Sequence, residues 1–255
     1  MISSKMLELG KKSSVIREIF EYGLKRKAEI GAENVYDFSL GNPSVPAPQK
    51  VTDVMTKLIT ETPAEVLHGY TSAPGDVKVR TAIAENIKEK FGVDASLANI
   101  YMTCGAAASL TITLNAIVED GDEVIAFAPF FPEYRVFVEQ AGAKLVVVSN
   151  KTEDLQLDFD AIEKAITPNT KAVIINSPNN PSGVIVPECD IIKLCDLLNK
   201  KQAEYGKEIF LISDEPYREL VYGDAKVTFI PEVYDNTIVC YSWSKSLSLP
   251  GERMG

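Results

Sequence analysis

Lys245 stands three residues after Ser242 and eight before Arg253, in the run Ser-Trp-Ser-Lys. It follows an apolar stretch, Thr237 to Tyr241, with the composition of a buried strand. An amine at a strand's C-terminal end, flanked by hydroxyls and followed by a fixed cation, suits an aldehyde that carries a phosphate. The amine can form a Schiff base, and Ser242 and Arg253 can hold the phosphate. By itself a lysine near a strand end is most often a solvated surface residue, so its neighbours decide.

Other apolar runs end in the same way. After Ile100–Thr103 come Cys104, Gly105, Ala106 and Ala107, opening a helical stretch. Small residues there either make a simple tight turn or leave backbone N–H groups and the positive end of the helix dipole open to a phosphate. After Val124–Ala128, Phe131 can stack on a flat heteroaromatic ring or pack into the core. After Val173–Ile175, Pro178 and Pro181 restrict a loop in which Asn180 can present its amide to a ring oxygen or a substrate carboxylate. After Ile209–Ser213 come Asp214 and Tyr217. A carboxylate ending a buried strand needs a cationic partner. A protonated pyridine nitrogen would serve, with Tyr217 on the ring hydroxyl. Asp214 can equally cap a helix begun at Pro216, and the two roles are compatible.

These positions presuppose a sheet. Apolar runs at 100–103, 124–128, 145–148, 173–175, 209–213 and 238–242 alternate with helical stretches at 106–118, 133–141, 160–166 and 188–200. The pattern predicts an α/β fold, three-layer α/β/α, with a mostly parallel sheet covered on both faces. Ligands of such sheets bind outside the carboxyl ends of the strands. Upstream, helices are expected at 13–27, 49–61 and 76–91, the first with Ile16, Ile19, Phe20 and Leu24 on one face.

Composition narrows the function classes. The chain has 255 residues, 45% apolar and 24% charged, which is ordinary for a globular enzyme. A net charge of −10 argues against nucleic-acid binding. Four cysteines without metal-ligand spacing and a single histidine, His68, argue against both a zinc site and a Ser-His-Asp mechanism. No apolar run reaches membrane-spanning length and the N-terminus lacks a signal-type apolar segment, so the expected location is the cytoplasm. Neither GxGxxG nor GxxxxGK[ST] occurs, leaving nucleotide binding without support.

In order along the chain, GNPSVPAP, HGYTSAPG, CGAAASL, PFFPEY, NSPNNPSG, SDEPYREL and SWSKSLSLPGER resemble the successive signatures of class I aminotransferases. These are the aspartate-aminotransferase-like branch of fold type I enzymes that use pyridoxal 5'-phosphate. The resemblance implies that Lys245 binds the cofactor aldehyde and moves the substrate proton. It places Asp214 on the pyridine nitrogen, Tyr217 and Asn180 on the ring oxygen, and Phe131 on the ring face. Ser242, Arg253 and the amides of Ala106 and Ala107 would hold the phosphate. The two alanines stand where many relatives carry polar side chains, so only their backbone can contribute. The absence of a lysine in that segment argues against aspartate as substrate. Tyr70 would reach the phosphate of a neighbouring subunit, implying a homodimer, and Gly41 and Asn180 would lie near the substrate carboxylate. The substrates implied are an L-amino acid and a 2-oxo acid. Residues 1–35 would belong to a small domain and 36–255 to the cofactor-binding large domain. Family members continue beyond Gly255 into the rest of that domain and the small domain, carrying the arginine that grips the α-carboxylate. A C–S lyase of the same fold, or a chain that binds the cofactor without turnover, are the alternatives.

Overall fold

The computed structural model describes residues 2, 4–11 and 15–255. The chain divides into two compact units, Met1–Ser44 and Val45–Gly255.

In the first unit, α1 (Ser4–Lys11) and α2 (Val15–Ile30) precede a 3-10 turn at Ala32–Asn34. The helix expected over 13–27 corresponds to α2; residues 13 and 14 and the Ile16 side chain lie outside the described residues. Ile19 and Leu24 on its apolar face are half-exposed. Asp37 ties the following segment to α2. Its Oδ2 accepts from Lys27 Nζ at 2.8 Å, and its Oδ1 accepts from the Ser39 amide and hydroxyl. The Lys27 bond first, then those from Ser39, hold the Asp37 carboxyl well below the usual range.

The second unit begins with α3 (Gln49–Glu61), α4 (Ala64–Leu67) and α5 (Val77–Phe91). Asp76 caps α5 by accepting from the amides of Lys78 and Val79, and Gly92 ends it in the left-handed region at φ 70°. Then come α6 (Ala106–Ile117), β1 (Glu123–Ala128), α7 (Glu133–Gln140), β2 (Lys144–Ser149) and α8 (Phe159–Ala165). β3 (Thr170–Asn176), α9 (Glu188–Tyr205), β4 (Phe210–Asp214), β5 (Thr237–Cys240) and α10 (Trp243–Ser246) complete the chain.

Among the described residues, the five strands of the sheet pair in parallel, in the order β2-β1-β3-β4-β5. Successive residues of a strand point to opposite faces, and here both faces are buried. From β3, Val173 and Ile175 join one core with Ile162 of α8 and Leu194 and Leu198 of α9. Ala172 and Ile174 join another with Leu110 and Leu114 of α6 and Val138 of α7. This is the expected three-layer α/β/α arrangement. β2 lies on one side of β1 and β3 on the other, so the order reverses there. A crevice is expected outside the carboxyl ends at such a reversal.

One expected strand is not a strand. Residues 100–103 carry no regular element, and their pairing is limited. Met102 N donates to Pro74 O at 2.9 Å, and Thr103 exchanges both backbone bonds with Gly255, at 2.8 and 3.0 Å. A ladder of one residue pair is too short to count as sheet. The last strand also stops at Cys240, before the expected Ser242.

The double-sided core generates a direct test. Leu194 is fully buried on α9, so Leu194→Ala should lower unfolding free energy by about 2–5 kcal/mol. Urea titration followed by circular dichroism would show it as an earlier midpoint with an unchanged slope.

Candidate active site

The carboxyl ends of β1, β3, β4 and β5 and the start of α6 open on one cleft of about 200 Å³. Its walls include Ala106, Ala107, Phe131, Asn180, Asp214, Tyr217, Ser242, Lys245 and Arg253. Nine expected site residues therefore meet in one place. Tyr70 is fully exposed and does not line this cleft. Gly41 belongs to the first compact unit.

At one end of the cleft, α6 starts at Gly105, whose φ of 93° is left-handed territory suited to glycine. No side chain caps this helix, and its first bond runs from Ser109 N to Gly105 O at 3.1 Å. The amides of Ala106 and Ala107 thus have no intrahelical acceptor and present the positive end of the dipole. Arg253 lies beside them, with Nη2 donating to Cys104 O at 3.3 Å and Nη1 to Pro250 O at 3.0 Å. A Cβ on Gly105 would stand 2.7 Å from Arg253 Nη2, so a larger residue would displace the guanidinium, while the positive φ is what calls for glycine. Backbone amides, a guanidinium and the buried Ser242 form a cradle that suits a phosphate.

At the other end, Asp214 closes β4 with 5% of its surface exposed. Its Oδ2 accepts from Tyr134 Oη at 2.5 Å, whereas the buried Oδ1 has no hydrogen-bond partner. Burial raises the Asp214 carboxyl to about 6, and the Tyr134 bond offsets part of that rise. An orphaned, buried carboxylate oxygen in a ligand-sized cleft fits a cationic N–H donor. Asp214 caps no helix, because residues 216–219 form turns rather than the helix that would need a cap.

Between these ends lie Asn180 and Tyr217. Asn180 Nδ2 donates to Tyr217 Oη at 3.2 Å, leaving the phenol proton available to a ligand oxygen. Burial, then the nearby Asp214 charge, raises the Tyr217 phenol, so it stays protonated at neutral pH. Lys245 is shifted the opposite way: desolvation lowers its amine below the ordinary lysine range. Phe131 reaches the cleft while its ring packs edge-on to Tyr134, with centroids 5.7 Å apart. Phe131 thus packs on Tyr134 while also lining the cleft.

Two residues escaped the sequence reading. Tyr134 sits on α7 and reads as an ordinary buried helical position, yet it supplies the hydroxyl to Asp214. Asn176 ends β3; its Nδ2 donates to Asp214 O at 2.7 Å and its Oδ1 accepts from Asn180 N at 2.6 Å. It thus ties two strand ends to the Asn180 loop. A polar residue closing an otherwise apolar strand was the available signal for Asn176. For Tyr134 the signal was indirect, namely that the Asp214 carboxylate needs a donor from a neighbouring layer.

The raised Asp214 carboxyl predicts a pH dependence in the cofactor-free protein. Its folded value of about 6 exceeds the ordinary value of 3.8. The protonated form therefore favours the fold, fully so at low pH, and that contribution is lost as pH rises through about 6. Asp214→Asn should be near-neutral for stability at pH 4 and gain on the parent by about 2 kcal/mol by pH 8. Denaturant unfolding across that range checks it, and a pH-independent difference would contradict the assignment.

The geometry agrees with what the chain is similar to. Residues 33–255 match the family described as aminotransferase class I and II. A probable N-acetyl-LL-diaminopimelate aminotransferase of Bacillus subtilis is 33% identical over 94% of this chain and 59% of its own length. An aspartate aminotransferase of Pyrococcus horikoshii is 31% identical over 96% of this chain and 59% of its own. Among solved structures, an amino transferase from Eubacterium rectale is 57% identical with a TM-score of 0.96, covering 100% of this chain and 64% of that one. The chain thus spans about three fifths of the length of the curated relatives it matches. It belongs to the class I and II aminotransferases, a family that depends on pyridoxal phosphate.

Proposed function

We propose that the protein is a pyridoxal-phosphate-dependent aminotransferase that moves an amino group from an L-amino acid to a 2-oxo acid. One observation carries the reading: Asp214 Oδ1 is buried without a partner in the cleft that Lys245 and Arg253 also line. When bound, the cofactor supplies an aldehyde carbon that joins to amines and a cationic ring that draws in electron density. Asp214 holds the proton on the ring nitrogen. Tyr217, accepting from Asn180, donates its own proton to the ring oxygen. Phe131 covers one ring face, and Ser242, Arg253 and the amides of Ala106 and Ala107 hold the phosphate. Lys245 Nζ anchors the cofactor and takes the proton from the substrate Cα, and its lowered value leaves more of the amine unprotonated for both tasks. Gly41 and Asn180 serve the substrate carboxylate.

The proposed working unit is a homodimer in which Tyr70 reaches the other subunit's cleft. Its full exposure, its absence from its own cleft, and the exposed Val54, Leu58 and Ile59 of α3 support that. The proposed location is the cytoplasm, in keeping with four free cysteines. Among the described residues no helix is long and apolar enough to cross a membrane.

Two measurements test the reading in the full-length protein. Borohydride reduction in the presence of the cofactor should label Lys245 by peptide mass, and Lys245→Ala should abolish that label; a label on another lysine refutes the assignment. Asp214→Ala and Asp214→Asn should both retain cofactor through the phosphate contacts. Both should slow proton abstraction by about 10²-fold or more, because the lost property is charge. Release of pyruvate and ammonia, in place of a keto acid paired with the aminated acceptor, would indicate a lyase. For the shared site, mixing Tyr70→Ala and Lys245→Ala chains should restore activity that neither has alone, since each hybrid dimer contains one intact cleft.

A further inference from the structure

The helical segment carrying Lys245 is a single turn, Trp243–Ser246. Its backbone bonds are long: Trp243 N to Met254 O, Leu247 N to Trp243 O and Ser248 N to Lys245 O are each 3.3 Å. One isolated turn does not hold itself, so contacts from outside set where Lys245 sits. Ser246 Oγ lies 2.8 Å from Tyr241 Oη, and Tyr241 Oη lies 3.1 Å from Glu219 Oε2. A phenol has one proton and an ionised carboxylate only accepts. Tyr241 therefore donates to Glu219 and accepts from Ser246.

The Tyr241 ring is itself clamped. The Arg218 guanidinium sits 4.5 Å from its centroid, and 5.1 and 5.2 Å from those of Phe91 and Phe229, which stack on each other at 4.2 Å. Arg218 Nη1 is 2.9 Å from Oε2 of Glu215, a fully buried carboxylate whose Oε1 accepts from Ser213 Oγ at 2.6 Å. Neither Glu215 Oε2 nor Arg218 Nε makes an aligned hydrogen bond. The grip is charge and aromatic faces, a mode that a planar guanidinium performs and an ammonium does poorly. None of Arg218, Tyr241 and Ser246 lines the cleft.

We propose that Arg218 is a positioning residue for Lys245: by clamping the face of Tyr241 it holds the phenol where Ser246 binds it, and so fixes the turn from which Lys245 meets the cleft. The functional consequence rests on Lys245 being the cofactor lysine.

The test uses full-length, cofactor-free protein and two local readouts. One is the pH midpoint of Lys245 labelling by trace acetic anhydride, and the other is hydrogen exchange of the peptide spanning residues 243–248. Tyr241→Phe and Ser246→Ala should each raise the midpoint by about half a pH unit, a roughly threefold drop in free amine at a fixed lower pH, and each should speed exchange. Arg218→Met, paired with Glu215→Gln so that no buried carboxylate loses its counter-charge, should do the same. Adding Tyr241→Phe to that pair should shift the midpoint no further, because Arg218 acts through Tyr241. Unchanged midpoint and exchange in Tyr241→Phe and Ser246→Ala overturn the proposal, even if the Arg218 variant fails to fold. Fully additive shifts overturn it too. Neither readout involves the cofactor, so failure here stands apart from failure of the borohydride mapping.

Discussion

A carboxylate buried at a strand end is stable only while something nearby supplies protons or positive charge, and the candidate site is arranged around that demand at Asp214. Tyr134 satisfies one oxygen from the helix layer, while Asn176 secures the Asp214 carbonyl from the next strand. The second oxygen is left for a ligand. Keeping the carboxyl near 6 rather than higher depends on the Tyr134 bond, since burial alone pushes it upward. A proposed pyridinium partner would lower it further and return the desolvation cost as binding free energy. In the proposed bound state, the group that costs the fold stability would contribute to binding.

Two consecutive buried carboxylates stand at the end of β4, Asp214 as its last residue and Glu215 just beyond it, and they have different partners. Asp214 lines the cleft, whereas Glu215 pairs with Arg218 and Ser213. Burial raises Glu215 to about 7, and Arg218 is the main influence pulling it back. Glu215 leaves the strand with its amide donating to Cys240 O at 2.8 Å, and each carboxylate has its own set of partners. A shift of one residue in the β3–β4 register, which pairs Asn176 with Asp214, would turn the Asp214 side chain to the other face of the sheet. The apolar alternation in Leu211 and Ile212, each feeding a different core, opposes that slip.

Much of this was legible in the sequence because the chemistry sits at punctuation points. Apolar runs marked the five strands, and the residues just past them (Phe131, Asn180, Asp214, Tyr217, Ser242, Lys245) meet in one cleft. What was not legible depends on contacts between distant segments. Tyr134 acts across 80 positions and looks like any amphipathic helix residue. The segment at 100–103 has strand composition but bonds to distant backbone only through Met102 and Thr103, and composition carries no information about an available neighbour. The Arg218 clamp unites Phe91, Glu215, Phe229 and Tyr241 from four separate segments, with no local motif to announce it.

The proposed phosphate end illustrates a different division of labour, in which backbone shape replaces side chains. Ala106 and Ala107 offer no polar atoms beyond their amides, so the anion site depends on where α6 starts and which way it points. Gly105 sets that start, and its missing Cβ makes room for Arg253 Nη2. Arg253 also adopts a left-handed conformation, at φ 53°, which costs a non-glycine residue conformational energy. Its side chain is held in place by Cys104 O and Pro250 O. Two unusual backbone conformations, about 150 residues apart in sequence, thus converge on one contact. A residue bulkier than glycine at 105 would displace the guanidinium and strain the left-handed backbone, whereas alanine at 106 and 107 is sufficient because only their N–H groups are needed.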